Sequence, residues 1–254
     1  MKITVLGATG LLGNKMCDRL KRQGHEVVPA SRATGVDAYS GQGLASAIRG
    51  ADVVVDTLDV NTMSRRRAMD FFSTCAENIT RVATDSHVSR VVCVSIFGAD
   101  HPGVGRAYGY YAAKAAQQRI YTAAQTPTTV VLSTQWFELV DEVARRASLG
   151  PVTLLPTMRM APLSADAAAD AVASVVTNPE PGPTFTIRGA EEVSTVELAR
   201  VILQERGSLA GHRPRVLRQL PYLGRAIAGG ALVPKEADLV APGDIRDWLR
   251  TPRS

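Results

Sequence analysis

The stretch that decides the fold is Lys2-Ile3-Thr4-Val5-Leu6-Gly7-Ala8-Thr9-Gly10-Leu11-Leu12-Gly13. The apolar run over residues 2–6 predicts a strand, and the apolar spacing that begins at Leu11 predicts a helix. The glycines between them are three residues apart. A strand, a glycine turn and a helix in this order are the context that a dinucleotide-binding fingerprint requires. The sequence therefore predicts a dinucleotide site at the first turn of the chain.

Each glycine of this turn has a distinct predicted role. Gly7 permits the tight turn, Gly10 lets the backbone approach a pyrophosphate, and Gly13 lets the helix pack close to the strand. The helix N-terminus offers free N–H groups and the positive end of its dipole to phosphates. The residues expected to bind the cofactor here are Gly7, Thr9, Gly10, Leu11, Leu12 and Gly13.

The residues after the second predicted strand bear on which dinucleotide binds. Ser31 and Arg32 follow the strand at 26–30, and no Asp or Glu occupies this position. An acidic residue there usually binds the ribose 2′-hydroxyl of NAD, whereas an arginine accommodates a 2′-phosphate. We therefore expect NADP(H), with Ser31 and Arg32 in its site. The alternative interpretation is an ordinary surface arginine in a loop.

Strand and helix patterns alternate through residue 133. After the first two strands, the sequence predicts a helix at 44–49, a strand at 51–56, a helix at 64–86, a strand at 90–95, a helix at 107–124 and a strand at 128–133. This alternation indicates an α/β fold of the Rossmann type, a doubly wound parallel sheet with right-handed crossovers. Ligands bind beyond the carboxyl ends of such strands. The residues expected to line that crevice are Gly7, Arg32, Thr57, Ser95 and Thr134.

Beyond residue 150 prolines become frequent and the predicted segments shorten. Strands are predicted near 152–155, 184–187 and 215–220, and helices at 165–176, 195–205 and 244–249. We interpret residues 1–150 as an NADP(H)-binding Rossmann core. Residues 151–254 are interpreted as a small C-terminal cap on the substrate side, packed on the core within one structural unit.

A tyrosine and a lysine four residues apart open the helix before the fifth strand. Tyr110 and Lys114 share one helix face at this spacing. A lysine ammonium near a phenol lowers the phenol's pKa, and a tyrosine tuned in this way transfers the proton that accompanies hydride transfer. The lysine also has donors for the nicotinamide ribose. Tyr111 is interpreted as a core residue.

Four motifs together resemble the short-chain dehydrogenase/reductase superfamily, and most closely its atypical, NmrA-like NAD(P)H-binding branch. They are Gly7-x-x-Gly10-x-x-Gly13, Ser95-Ile96-Phe97-Gly98, Tyr110-x-x-x-Lys114 and Ser133-Thr134-Gln135-Trp136-Phe137. The resemblance covers essentially the whole chain. It implies a single Rossmann domain, NADP(H) on the glycine motif, and catalysis by Tyr110 with Lys114 as its helper. Ser95 is either a third catalytic residue or a structural residue that holds its loop.

Two weaker candidates lie near the predicted crevice. His101 is in a glycine-rich loop and is either a substrate-facing residue or a solvated loop residue. Trp136 and Phe137 follow the fifth strand and either form a wall of the substrate pocket or pack in the core. No His, Cys, Asp and Glu set has the spacing of metal ligands, so no metal is expected.

The composition limits the class of protein and its partners. The 254 residues are 45% hydrophobic and 5% aromatic, with a net charge of +5. Short basic clusters and few aromatics argue against nucleic-acid binding, and no apolar run of membrane-spanning length is present. Cys17, Cys75 and Cys93 are far apart in apolar stretches, which indicates buried thiols. The chain opens without a signal-peptide pattern, so we expect a cytoplasmic monomer or homodimer acting on a small molecule.

Three functions remain open at this point. The first is an NADPH-dependent reductase of a small carbonyl or conjugated organic substrate, with Tyr110 as proton donor assisted by Lys114. The second is a regulatory protein that senses NADP(H) without turnover. The third is a nucleotide-sugar epimerase or dehydratase, for which the C-terminal half is short. A shared fold does not decide among them, because one fold hosts many functions.

Overall fold

The computed structural model describes residues 1–250 of the chain. Its first half alternates strands and helices: β1 (Lys2–Leu6), α1 (Leu11–Arg22), β2 (Glu26–Ala30), α2 (Leu44–Ile48), β3 (Val53–Asp56), α3 (Arg65–Asp85), β4 (Arg90–Ile96), α4 (Pro102–Ala107), α5 (Gly109–Thr122) and β5 (Thr128–Ser133). The second half contains α6 (Glu138–Ala147), β6 (Ser148–Leu149), β7 (Val152–Pro156), β8 (Arg159–Met160), α7 (Ala165–Thr177), β9 (Thr184–Gly189), β10 (Val193–Ser194), α8 (Thr195–Arg206), β11 (Val216–Leu220), α9 (Gly224–Ala228), β12 (Leu239–Ala241) and α10 (Ile245–Arg250).

Seven parallel strands form the central sheet, in the order β12-β9-β5-β4-β3-β1-β2. The chain moves from β1 to β2 on one side and then crosses to β3 on the other side of β1. Their carboxyl ends are level, because Leu6 pairs with both Ala30 and Asp56. This reversal of direction opens a crevice at the carboxyl ends of β1 and β3. The predicted Rossmann-type fold is confirmed.

Apolar side chains cover both faces of the sheet. On one face, Leu12, Met16 and Leu20 of α1 pack with α7 against the strands. On the other face, Cys75 and Ile79 of α3 pack with α2 and α5. All four residues of β3 are buried, as expected for a central strand that is covered on both sides.

The predicted helix at 107–124 is wrong in one respect, because the structure divides this region into α4 and α5. Tyr108 lies between them with an extended backbone, φ −141° and ψ 117°. The apolar spacing continues across the break, so periodicity alone does not show it. The break matters for function because it sets the start of α5, the helix that carries Tyr110 and Lys114.

The second half of the chain both completes the central sheet and adds a smaller layer. Strands β9 and β12 extend the sheet beyond β5, and α7 packs against α1. Lys15 and Arg19 of α1 form ion pairs with Asp166 of α7 at 2.8 and 2.9 Å. Strands β6, β7 and β11 form a separate three-stranded sheet. Within residues 1–250, no helix has both the length and the hydropathy needed to cross a bilayer.

Candidate functional site

The glycine turn after β1 is tightly packed against the end of β3. Gly7 has φ +80°, and a Cβ there would lie 2.9 Å from the carbonyl oxygen of Thr57. A Cβ on Gly13 would lie 2.2 Å from the carbonyl oxygen of Gly7 and 2.7 Å from the hydroxyl of Thr57. Thr57 itself donates a hydrogen bond from its hydroxyl to the carbonyl of Leu6 at 2.7 Å. The turn, the first helix and the end of β3 therefore touch only because Gly7 and Gly13 lack side chains.

The start of α1 is exposed, whereas the turn at Gly7 and Gly13 is closely packed. Gly10 is the N-cap residue, and no side chain caps the helix. A Cβ on Gly10 would meet only the carbonyl oxygen of Gly7, at 3.2 Å. Thr9, Gly10 and Leu11 are exposed. The first N–H groups of a helix lack intrahelical partners, so this end of α1 suits the phosphates of a dinucleotide.

The segment after β2 offers two further polar groups. Ser31 is buried, with 7% of its surface exposed, and its hydroxyl has no hydrogen-bond partner in the described residues. Arg32 is exposed, and its guanidinium forms no ion pair within residues 1–250. A buried polar group without a partner is rare in a folded protein. Both side chains are thus available to a ligand at the carboxyl end of β2.

Tyr110 is paired with a carboxylate rather than with Lys114. The phenol donates a hydrogen bond to Oδ1 of Asp59 at 2.8 Å. Burial, followed by the charge and hydrogen bond of Asp59, raises the pKa of Tyr110 well above its ordinary value of 10. The predicted lowering of this pKa by Lys114 is therefore wrong for this geometry. The phenol stays protonated at neutral pH, as a proton donor must.

Lys114 of α5 is buried, with 4% of its surface exposed. Its ammonium donates to the carbonyl oxygen of Val94 at 3.0 Å. It also lies 4.6 Å from the ring centroid of Phe72, a cation–π contact. An ammonium has three N–H donors, so Lys114 keeps donors for a ligand.

Asp56 is a residue of the site region that the sequence reasoning missed. It ends β3, is 1% exposed, and accepts hydrogen bonds from Gln117 and Tyr121 of α5 and from the N–H of Leu58, each at 2.8 Å. Burial raises the pKa of Asp56, and the nearby Lys114 charge opposes this rise. Asp56 therefore ties α5 to the end of β3. The only signal in the sequence was a carboxylate at the end of an apolar strand.

Two predicted crevice residues point their hydroxyls into the protein. Ser95 lies within β4, is 2% exposed and accepts a hydrogen bond from Nε2 of Gln118 at 2.8 Å. Thr134 donates from its hydroxyl to the carbonyl of Ala161 at 2.6 Å. Of the five residues expected to line one crevice, Gly7 and Thr57 are in contact. Arg32, at the neighbouring strand end, forms no ion pair among the described residues. Ser95 and Thr134 occupy the expected edge of the sheet but are engaged elsewhere.

The end of β5 contains a second buried group without a partner. Gln135 is 6% exposed, and neither its Oε1 nor its Nε2 has a hydrogen-bond partner in the described residues. The two residues that follow Gln135 have partners within the protein. The indole N–H of Trp136 donates to the hydroxyl of Ser133 at 3.0 Å, and Phe137 is buried in the core. His101 also has a structural role, because its Nδ1 accepts the N–H of Gly103 at 3.1 Å as the cap of α4.

Comparison with known proteins agrees with this geometry. A family model described as NAD(P)H-binding matches residues 7–179, which include the glycine turn, Tyr110 and Lys114. The chain belongs to this NAD(P)H-binding family. This match confirms the NAD(P)H-binding part of the resemblance drawn from the sequence. Comparison with curated proteins finds no match.

Solved structures share the fold at low sequence identity. A nucleoside-diphosphate-sugar epimerase from Staphylococcus aureus is 16% identical, with a TM-score of 0.72, over 99% of this chain and 100% of that one. A short-chain dehydrogenase/reductase superfamily protein from Agrobacterium tumefaciens with bound NAD is 16% identical, with a TM-score of 0.67, over 98% and 95% of the two chains. A dTDP-4-dehydrorhamnose reductase from Clostridium acetobutylicum is 16% identical, with a TM-score of 0.65, over 91% and 94%.

Proposed function

We propose that this NAD(P)H-binding protein is an NADPH-dependent reductase of a small carbonyl or conjugated organic substrate. The observation that carries the proposal is the hydrogen bond by which the phenol of Tyr110, on α5, donates to Asp59 in the loop following β3. That loop leaves the strand whose carboxyl end borders the dinucleotide crevice. A proton donor at the edge of a nicotinamide site is the arrangement that carbonyl reduction needs.

The proposed cofactor is NADPH, held by residues at three strand ends. The pyrophosphate would lie at the start of α1, over Thr9, Gly10, Leu11 and Leu12, with Gly7, Gly13 and Thr57 shaping the turn. Arg32 would pair with the 2′-phosphate, and Ser31 would gain the hydrogen-bond partner that it lacks. Lys114 would donate to the nicotinamide ribose with the N–H groups that Val94 leaves free. When bound, NADPH supplies the hydride.

The protein's own part in the reaction is to hold and deliver a proton. The substrate oxygen gains negative charge as its carbon is reduced, and the Tyr110 phenol donates its proton to that oxygen. Ser95 serves in this proposal as a structural residue of β4, since its hydroxyl is bound to Gln118. Residues 151–254 are proposed to bound the substrate side. The buried free thiols of Cys17, Cys75 and Cys93 support a reducing, cytoplasmic setting.

A second candidate function is a regulatory protein that binds NADP(H) without turnover. The inward hydroxyl of Ser95 and the contact of Lys114 with Val94 favour it, because neither side chain is directed to Tyr110. The two functions differ in whether bound NADPH is consumed. They also differ in what the loss of the Tyr110 hydroxyl would change.

The test is NADPH consumption with a panel of quinones, enones and ketones. Tyr110→Phe keeps the packing of the ring and removes its hydroxyl, so turnover should fall about 10²–10⁴-fold while NADPH still binds. Tyr111→Phe is the matched control and should retain most activity, since Tyr111 is buried in the core. An active wild type whose rate is unchanged by Tyr110→Phe would contradict the assigned donor. A wild type that binds NADPH and reduces nothing would favour the regulatory function.

A further inference from the structure

Tyr110, Asp59 and Lys114 are arranged differently from what the resemblance to the reductase family implies. The phenol of Tyr110 donates to Asp59 at 2.8 Å. The ammonium of Lys114 is instead directed to the carbonyl of Val94, at 3.0 Å, and to the ring of Phe72. The Phe72 ring also packs edge-to-face against Tyr110, with centroids 5.5 Å apart. The ammonium of Lys114 thus contacts groups other than the phenol of Tyr110, and the phenol is hydrogen-bonded to the carboxylate of Asp59 instead.

Asp59 is both exposed to solvent and fixed in position. It lies in the loop of residues 57–64 between β3 and α3, and its Oδ1 also accepts the N–H of Val60 at 2.7 Å. The loop is anchored at one side, where Asp56 accepts the N–H of Leu58, and at the other, where Arg146 of α6 donates to Asn61. The carboxylate therefore connects a half-buried phenol to bulk water.

We infer that Asp59 exchanges the proton of Tyr110 with solvent during catalysis. The inference rests on the proposed function. In the reduction, the O–H bond of Tyr110 breaks and its proton moves to the substrate oxygen. Water then gives a proton to the Asp59 carboxylate, and the resulting carboxyl passes a proton to the phenolate oxygen. Substrate oxidation uses the same transfers in reverse, with water as the final acceptor.

The position of the carboxylate explains why such an exchange is needed. A phenolate formed beside a charged carboxylate would place two like charges at hydrogen-bond distance, which disfavours both. A proton passed through the carboxyl removes this repulsion after each turnover.

Other ionisable groups surround this pair, and none takes the place of Asp59. Tyr108 and Tyr111 pack against Tyr110 from its own segment, with ring centroids 6.0 Å away. Arg65, at the start of α3, donates to the carbonyl of Gly105. On the adjoining elements α5 and α6, the ammonium of Lys114 contacts the carbonyl of Val94. Arg146 and Glu142 form an ion pair with each other, and both contact the side chain of Asn61.

The experiment compares the pH profile of kcat in wild type, Asp59→Asn and Asp59→Glu at saturating NADPH. In reduction, wild-type kcat should fall as pH rises, because the relay draws its proton from solvent. In Asp59→Asn, kcat should no longer decrease as pH rises, and at the acidic end of the profile it should be about 10²-fold below the wild-type value. Asp59→Glu should retain the wild-type decrease of kcat with rising pH. Asp85→Asn, an exposed carboxylate on α3, is the matched control and should match wild type.

A second measurement needs no turnover. The alkaline absorbance change of wild type, minus that of Tyr110→Phe, reports ionisation of this phenol. In Asp59→Asn it should occur at lower pH than in wild type, since the neighbouring negative charge is gone. If Asp59→Asn is active with the kcat and the pH profile of wild type, the proton relay is contradicted while the proposed function stands. The same holds if the Tyr110 phenol of this variant ionises at the wild-type pH. A wild type that reduces no substrate overturns the proposed function and the relay with it.

Discussion

The two ends of the candidate site are built in different ways. At the dinucleotide end, the turn of residues 7–13 is made of backbone, and its geometry depends on the absence of side chains at Gly7 and Gly13. At the proton-transfer end, the geometry depends on side chains that come from distant parts of the chain. Asp59 and Tyr110 are 51 residues apart, and Lys114 and Val94 are 20 apart.

This difference decides what a mutation does at each end. At the dinucleotide end, an added side chain should block cofactor binding or disrupt the packing of the turn. At the side-chain end, removing a single atom should change chemistry while the fold and cofactor binding remain. The predictions below test that separation, beginning with the largest effect.

Gly10→Val and Gly13→Ala separate the binding role of the turn from its structural role. A Cβ on Gly10 would meet only one backbone atom, at 3.2 Å, so Gly10→Val should fold but obstruct the pyrophosphate. Its affinity for NADPH should fall about 10²-fold, or about 2.7 kcal/mol. Calorimetric titration measures this loss. Micromolar binding by a folded Gly10→Val protein would show that the turn is only structural.

Gly13→Ala is the comparison variant for the same turn. Its Cβ would lie 2.2 Å from the Gly7 carbonyl oxygen, so the helix must move away from the strand. We expect a loss of stability of about 3 kcal/mol, the upper part of the usual cost of overpacking. Urea denaturation measures it. Wild-type stability in Gly13→Ala would contradict the close packing of α1 on β3.

The same contrast explains how far the sequence could predict the site. The turn of residues 7–13 was predictable because strand, glycines and helix are contiguous and their geometry is local. The partner of Tyr110 was not, since the spacing of Tyr110 and Lys114 fixes a shared helix face but not where the ammonium ends. That depends on Val94 and Phe72, which tertiary packing brings to Lys114.

The fold shows the same limit. Helix and strand patterns gave the elements of the central sheet as far as β5, but the break at Tyr108 has no periodic signal. Helix α6, which follows β5 before the proline-rich region, was also missed, and so was strand β12, which has only three residues. The unpaired amide of Gln135 could not be predicted at all, since a missing hydrogen bond is visible only when the neighbours are placed.

Arg32→Ala should distinguish the two dinucleotides. The guanidinium is free of ion pairs within residues 1–250, so its removal should cost only the contact with a 2′-phosphate, about 1.5–3 kcal/mol. NADPH affinity should fall by about one to two orders of magnitude, and NADH affinity should hardly change. Parallel titrations with both cofactors provide the control. Equal losses for NADPH and NADH would contradict the assignment of NADP(H).

Gln135→Met should have the smallest effects, and they should have opposite signs. Removing two buried, unpaired polar atoms should raise the stability of the free protein by about 1 kcal/mol, or about 3 °C in Tm. If the amide pairs with the carboxamide of bound NADPH, affinity should fall about threefold, or about 0.6 kcal/mol. The affinity for 2′-phospho-ADP-ribose, which lacks nicotinamide, should not change. A lower Tm would show that Gln135 has structural partners.

The central claim is that the protein transfers a hydride from NADPH and that Tyr110 completes the reaction with a proton. The most direct test is to supply NADPH carrying deuterium at C4 of the nicotinamide, with the panel of quinones, enones and ketones, and to examine the products by mass spectrometry. The account predicts deuterium in at least one product with wild type, and a loss of about 10²-fold or more in labelling rate with Tyr110→Phe at equal NADPH occupancy. Saturated binding of NADPH with no deuterium in any product would contradict it.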